Sequence, residues 1–150
     1  MSNRIFAAYG VGLNRAEMAK HCPTAKPIGT TELKNYRLAF RGGHACAVAT
    51  VEKAKGASAP ALLWEITQRD ETALDRLIGV PELYRKEAVK VRCNGIMMEA
   101  LVYIMVIGKP QNMPSAFYYS TLLEGYRAAG FDAEILKSAV LECDSDASSA

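Results

Sequence analysis

Closely spaced metal ligands are missing from this sequence. Its four cysteines, Cys22, Cys46, Cys93 and Cys143, form no CxxC pair, and only His21 and His44 could join them. Zinc sites usually bring their ligands in near pairs. Dispersed thiols of this kind read as reduced, buried small hydrophobes, and no metal or cofactor is expected. An excess of charge is missing too. A formal net charge of +2 over 150 residues, with Lys and Arg scattered along the chain, argues against a dedicated binder of nucleic-acid polymers. No apolar run approaches the roughly 18 residues that span a bilayer, and Met1-Ser2-Asn3-Arg4 lacks the apolar stretch of a signal peptide. A soluble cytoplasmic chain without a membrane partner is the expectation. There is no internal repeat, and the glycine pair near the N-terminus has no third glycine to complete a dinucleotide fingerprint.

What the chain does have is enough hydrocarbon for one core. Half of its residues are hydrophobic, which at this length favours a single domain, expected over residues 1–143 with 144–150 a disordered polar tail. The organising stretch is Ala7-Ala8-Tyr9-Gly10-Val11-Gly12-Leu13-Asn14. An apolar strand, Ile5 to Tyr9, runs into two glycines one residue apart. Glycine admits tight turns and lets a ligand approach the backbone, and successive N–H groups at such a turn suit an anion. A bare strand–helix turn is the plainer reading of the same residues.

The rest of the chain reads as alternating short elements. Asn14 can cap a helix through Ala16–Lys20, Pro23 stops it, and Pro27-Ile28-Gly29 reads as a further break. Tyr36, Leu38 and Phe40 share a strand face. After a turn at Arg41-Gly42-Gly43-His44, Ala45–Val51 suits a buried strand, Glu52–Pro60 a solvated loop, and Ala61–Ile66 a further strand. Thr67 and Asp70 form an acidic variant of the capping box on a helix that carries Leu74 and Leu77 inward and ends at Gly79. Tyr84–Arg92 and Met98–Ile107 are strands joined at Asn94-Gly95, a strong hairpin signal. Pro114-Ser115 opens a helix with Tyr118, Leu122 and Leu123 that ends near Gly125 or Gly130, and Ala133–Leu141 form the last helix. Strands concentrated in the first two thirds fit an α+β domain.

Taken in order, these segments resemble the gamma-glutamylcyclotransferase family. Tyr9-Gly10-Val11-Gly12-Leu13 stands where the family has Tyr-Gly-Ser-Asn-Leu. Met18, Cys22-Pro23 and Ala25 match Met-x-x-x-Cys-Pro-x-Ala. Asn35-Tyr36-Arg37-Leu38-Ala39-Phe40 resembles Gly-Tyr-Arg-Leu-x-Phe, Leu74 to Pro81 sits at Leu-Asp-x-x-Glu-Gly, and Pro114-Ser115-Ala116-Phe117-Tyr118 resembles Pro-Ser-x-x-Tyr. The resemblance implies a small mixed β-barrel flanked by short helices, with a cavity at the Tyr-Gly loop. It also implies the family chemistry: loop amides hold a gamma-glutamyl group, and the glutamate of Glu-Gly takes a proton so that the amine can close 5-oxoproline.

Ile78 occupies that glutamate position. Isoleucine accepts no proton, and losing a positioned acid/base costs about 10²–10⁴ in rate. Glu65, Asp75 and Glu82 remain as substitute bases, with Glu82 the one carried forward. The expected site is therefore a non-catalytic pocket of Tyr9, Gly10, Val11, Gly12, Leu13, Ile78, Tyr84 and Tyr118, with no catalytic residue, holding an anionic or nucleotide-like small molecule to sense or sequester it. Two alternatives stand beside it: a divergent cyclotransferase with a replacement base, and a cavity filled by its own side chains, with Val11 packed on Ile78. Trp64 reads as core. His21 and His44 read as surface residues, and Arg41, Arg85 and Lys86 as solvated charges that could reach a phosphate. A homo-oligomer is possible for this family, but no residue predicts an interface.

Overall fold

A computed structural model describes residues 3–43, 45–106 and 109–149; His44, Ile107, Gly108 and Ala150 lie outside the described residues. Five strands form one mixed sheet in the order β2-β3-β1-β5-β4. They are β1 Arg4–Ala8, β2 Lys26–Arg41, β3 Val48–Ile66, β4 Tyr84–Cys93 and β5 Ile96–Met105. β1 lies at the centre, antiparallel to β3 and parallel to β5. The remaining neighbours are antiparallel hairpins. The sheet curls until its outer strands meet: the Thr31 hydroxyl donates to the Arg92 carbonyl at 2.6 Å. This is the mixed, barrel-like α+β architecture expected.

Four helices flank the sheet: α1 Arg15–His21, α2 Gln68–Ile78, α3 Ala116–Ala129 and α4 Glu134–Ser149. Their starts follow the local chemistry. Asn14 accepts from the Glu17 amide at 3.2 Å, Ser115 from the Tyr118 amide at 3.1 Å, and Thr67 with Asp70 completes the capping box in both directions. α2 ends at Gly79 (φ 96°) and α3 at Gly130 (φ 78°), both left-handed, where a Cβ would be strained. The β4–β5 turn is Asn94-Gly95, both residues at positive φ.

Four expectations need correction. Glu52–Pro60 is not a loop. It belongs to a continuous β3, whose register against β2 slips between Lys34 and Tyr36. There Asn35 turns to φ 67° and its side chain accepts from the Gly56 amide at 3.0 Å, so a bulge absorbs the polar residues that read as a linker. Pro27-Ile28-Gly29 likewise lies within β2, at a second irregularity. Leu77 is not packed inward but is 51% exposed. α4 does not stop at Leu141 but is drawn out over Glu134–Ser149.

The core gathers Phe6, Leu33, Phe40, Val51, Leu63, Ile66, Val102 and Tyr103 from the sheet with Leu122, Tyr126 and Leu136 from α3 and α4. Cys22, Cys93 and Cys143 are buried and Cys46 exposed, none in a disulfide. Among the described residues no helix is long and apolar enough to cross a membrane.

Candidate functional site

The site exists because β1 is short. It pairs with β3 only as far as Ala8 opposite Leu62, while β3 begins fourteen residues earlier, at Val48. Beyond Ala8 the chain turns through Tyr9 and Gly10 into a single 3₁₀ turn, Val11–Leu13. Among the described residues the first stretch of β3 therefore pairs with β2 on one side and with no strand on the other.

Hydroxyl groups replace the missing strand. Tyr84 donates to the Ala49 carbonyl at 2.6 Å, and the Ala49 amide donates to the Tyr118 hydroxyl at 2.9 Å. Tyr9 donates to the Tyr103 carbonyl at 2.6 Å, and the Met105 amide to Thr50 Oγ1 at 3.0 Å. Each bond satisfies a buried backbone group that would otherwise be orphaned. Burial raises all three phenols, Tyr9 and Tyr84 as well as Tyr118, which is pushed up to about 12. They stay protonated at neutral pH. Because Tyr118 accepts from Ala49, its own proton is left over, and among the described residues no acceptor is bonded to it.

The glycine loop is held from three sides. The Trp64 indole donates to the Gly12 carbonyl at 2.9 Å. A Cβ on Gly12 would lie 2.8 Å from the Ala8 Cβ and 3.3 Å from the Phe6 ring, and a Cβ on Gly125 of α3 would lie 2.8 Å from Leu13. The loop thus fits only because Gly12 and Gly125 have no side chain. Its amides at Gly10, Val11 and Gly12 donate to no group among the described residues; the turn's own bonds start at Leu13 and Asn14.

A cleft of about 390 Å³ opens here, within the range of small-molecule sites. Tyr9, Gly10, Val11, Gly12, Ile78, Tyr84 and Tyr118 all line it. Leu13 does not: it is turned away beneath Gly125 and is 1% exposed. Val11 and Ile78 both border the cleft, and the void between the loop and α2 remains. Of the proposed replacement bases, none lines the cleft. Glu65 accepts from the Asn3 side chain. Asp75 accepts from the Tyr103 hydroxyl at 2.6 Å and from Lys86 at 2.9 Å. Glu82 is exposed on the turn after α2.

Two ionisable residues not proposed for the site do line it: Glu17, which was not singled out, and His21, read as a surface residue, one turn apart on α1. Glu17 is held by Lys20 at 2.9 Å. Their i,i+4 spacing was the available signal, but it identifies a helix face without saying what that face borders. The basic residues singled out for a phosphate are elsewhere. Arg41 pairs with Glu52 and Arg85 with Glu87, both on a separate groove bordered by Lys53 and Lys109, and Lys86 is bound to Glu71 and Asp75.

A curled mixed sheet whose central strand stops at a glycine loop over a tyrosine-framed cleft defines a cyclotransferase-like fold. The chain belongs to the gamma-glutamyl cyclotransferase, AIG2-like family, whose model matches residues 6–128. A solved gamma-glutamyl cyclotransferase superposes with TM-score 0.82 at 20% identity, covering 92% of this chain and 86% of the other. An uncharacterized protein from Homo sapiens gives 0.82 at 20% identity over 93% and 87%. YkqA from Bacillus subtilis gives 0.80 at 18% identity, covering 97% of this chain and 55% of its own. These likenesses concern the fold. No curated protein matches the sequence.

Proposed function

We propose that the protein binds an anionic small molecule in this cleft without turning it over, so as to sense or sequester it. The observation that carries the reading is a set of donors with no acceptor among the described residues, the amides of Gly10, Val11 and Gly12 and the Tyr118 proton, in a cleft where Ile78 stands at the position the family resemblance assigns to its acid/base. Preorganised donors favour a carboxylate or phosphate group. The absence of a carboxylate at residue 78 removes a nearby charge that would repel it.

Native mass spectrometry on protein purified from its expressing cells, compared with the mass after denaturation, tests this directly. A non-covalent mass that disappears in Tyr118→Phe is expected. Protein that carries no ligand and shows no thermal shift with any of a panel of metabolites and nucleotides would end the reading.

A second reading, a divergent cyclotransferase, is favoured by one observation: Glu17 supplies a carboxylate on the cleft. Release of 5-oxoproline from gamma-glutamyl donors that vanishes in Glu17→Gln would establish it. No release from any donor would remove it.

A further inference from the structure

The α2 side of the cleft is made of hydrocarbon. Leu74, Leu77 and Ile78 from the last turns of α2 stand there with Leu83 from the following turn, and Met18 and Val48 border the same space. Leu77 is 51% exposed and Leu83 46%. Large side chains of this kind left open on a concave surface mark a contact surface more often than chance exposure does. Their exposure is also fixed by the backbone. The capping box at Thr67 and the left-handed Gly79 set both ends of α2, and the Leu83 amide donates to the Gly79 carbonyl at 2.7 Å.

The charged groups facing the cleft are few. Among the described residues, Glu17 and His21 on α1 are its ionisable side chains apart from the tyrosines, and Glu17 is already paired with Lys20. Among the described residues that line the α2 side, none could pair with a ligand ammonium. Moving a charge from water against that wall would strip its hydration without compensation, whereas a methylene there gains by leaving water.

Resting on the reading that this cleft binds an anion, we infer that the ligand is an amphipathic carboxylate: an acid whose body is alkyl or aryl hydrocarbon and which carries no ammonium group beside the carboxylate. Its head accepts from the Tyr118 hydroxyl at the Gly10 end. Its body lies along Ile78, Leu74, Leu77 and Leu83 and closes those leucines from solvent.

Calorimetric titration with butanoate, hexanoate and octanoate, together with 2-aminohexanoate and hexylamine, tests it. Affinity is expected to rise about fourfold for each methylene of the acid. The amino acid is expected to bind at least about tenfold more weakly than hexanoate, and hexylamine more weakly than hexanoate. In Leu77→Ser/Leu83→Ser, which alters only exposed positions, the increment per methylene should fall towards unity. In Ile78→Glu the preference for hexanoate over 2-aminohexanoate should shrink or reverse. Equal affinity along the series, a wild-type protein that takes 2-aminohexanoate or hexylamine as well as hexanoate, or no binding of any of these acids would overturn the inference. Native mass spectrometry separates that failure from failure of the binding reading. A retained anion of another kind leaves the reading standing, and no retained or panel ligand removes both.

Discussion

Gly125→Ala sets two known effects against each other. In the interior of a helix alanine is favoured over glycine by about 1 kcal/mol, so propensity alone makes the variant more stable. Yet a Cβ at residue 125 would stand 2.8 Å from the Leu13 carbonyl carbon, 2.8 Å from its Cβ and 2.9 Å from its oxygen. Two of those three atoms are backbone, in a turn held at Gly12 by Trp64 and at Asn14 by its bond to the Thr121 carbonyl. None can swing aside as a side chain would. Overpacking of this kind costs about 1–3 kcal/mol, and three simultaneous contacts put this case at the upper end. The expected net effect is destabilisation by about 1–2 kcal/mol. Urea unfolding, read as a lower midpoint at unchanged slope, measures it, and Ala128→Gly on the exposed face of the same helix calibrates the propensity term. A Gly125→Ala protein at least as stable as wild type would refute the argument: α3 would then not be clamped on the loop. The same variant should weaken ligand binding, since α3 also carries Tyr118.

Three further outcomes follow from the hydroxyl frame. Tyr84→Phe removes the donor to the buried Ala49 carbonyl and should cost about 1–3 kcal/mol; an unchanged urea midpoint would show that water or another donor replaces it. Trp64→Phe keeps an aromatic ring in the core but releases the Gly12 carbonyl, so it should weaken ligand binding more than its loss of stability explains, as seen by titration at a temperature where the fold is intact. The protein should also lose stability steeply at alkaline pH. Burial raises Tyr9, Tyr84, Tyr103, Tyr118 and Tyr126 above the ordinary tyrosine value, so above about pH 10 the unfolded chain releases protons that the folded chain retains, and stability falls as pH rises. Below that range this contribution is constant. A stability profile flat from pH 9 to 11 would contradict it, and Tyr84→Phe should flatten the slope.

Sequence signals that depend on near neighbours gave the local structure. Asn14, Thr67 with Asp70, Gly79, Asn94-Gly95 and Ser115 each act within a few residues, and each stands where its chemistry placed it. The order of motifs supplied the fold, because five weak patterns in register restrict topology more than any one does. What the sequence hid was long-range. Glu52–Pro60 is polar enough to be a loop, and only the partner strand β2 shows that a bulge keeps it in the sheet. Leu77 lies at a helical spacing from Leu74 that suits a core face, yet α2 packs over a cleft at its end, so the side chain is left open. Seven of the eight residues proposed for the site border one cleft. Leu13, the exception, illustrates why adjacency in a motif does not fix direction: a 3₁₀ turn rotates it away from the cleft and towards α3. The Trp64–Gly12 bond spans 52 residues and had no local signature.

The way the cleft is built separates the residues that hold the fold from those that only line the cleft. The frame is made where β1 ends and β3 and β5 go on, and its bonds run among Tyr9, Ala49, Thr50, Tyr84, Tyr103, Met105 and Tyr118. Each of these bonds satisfies a backbone group, so each residue is constrained by stability whatever the cleft holds. Residue 78 is different. It sits in the last turn of α2, is half-buried, and belongs to no bond of the frame. An isoleucine there joins Leu74 and the exposed Leu77 and Leu83 in an apolar wall, whereas a carboxylate would have to be solvated or paired against the same hydrocarbon. Position 78 can therefore take a polar or an apolar side chain at little cost to folding, while Tyr84 and Tyr118 cannot be exchanged without orphaning Ala49. On this argument Ile78→Glu should fold with a urea midpoint close to wild type, and Tyr84→Phe/Tyr118→Phe should not; the reverse order would mean that the α2 wall, and not the tyrosine frame, holds the cleft open.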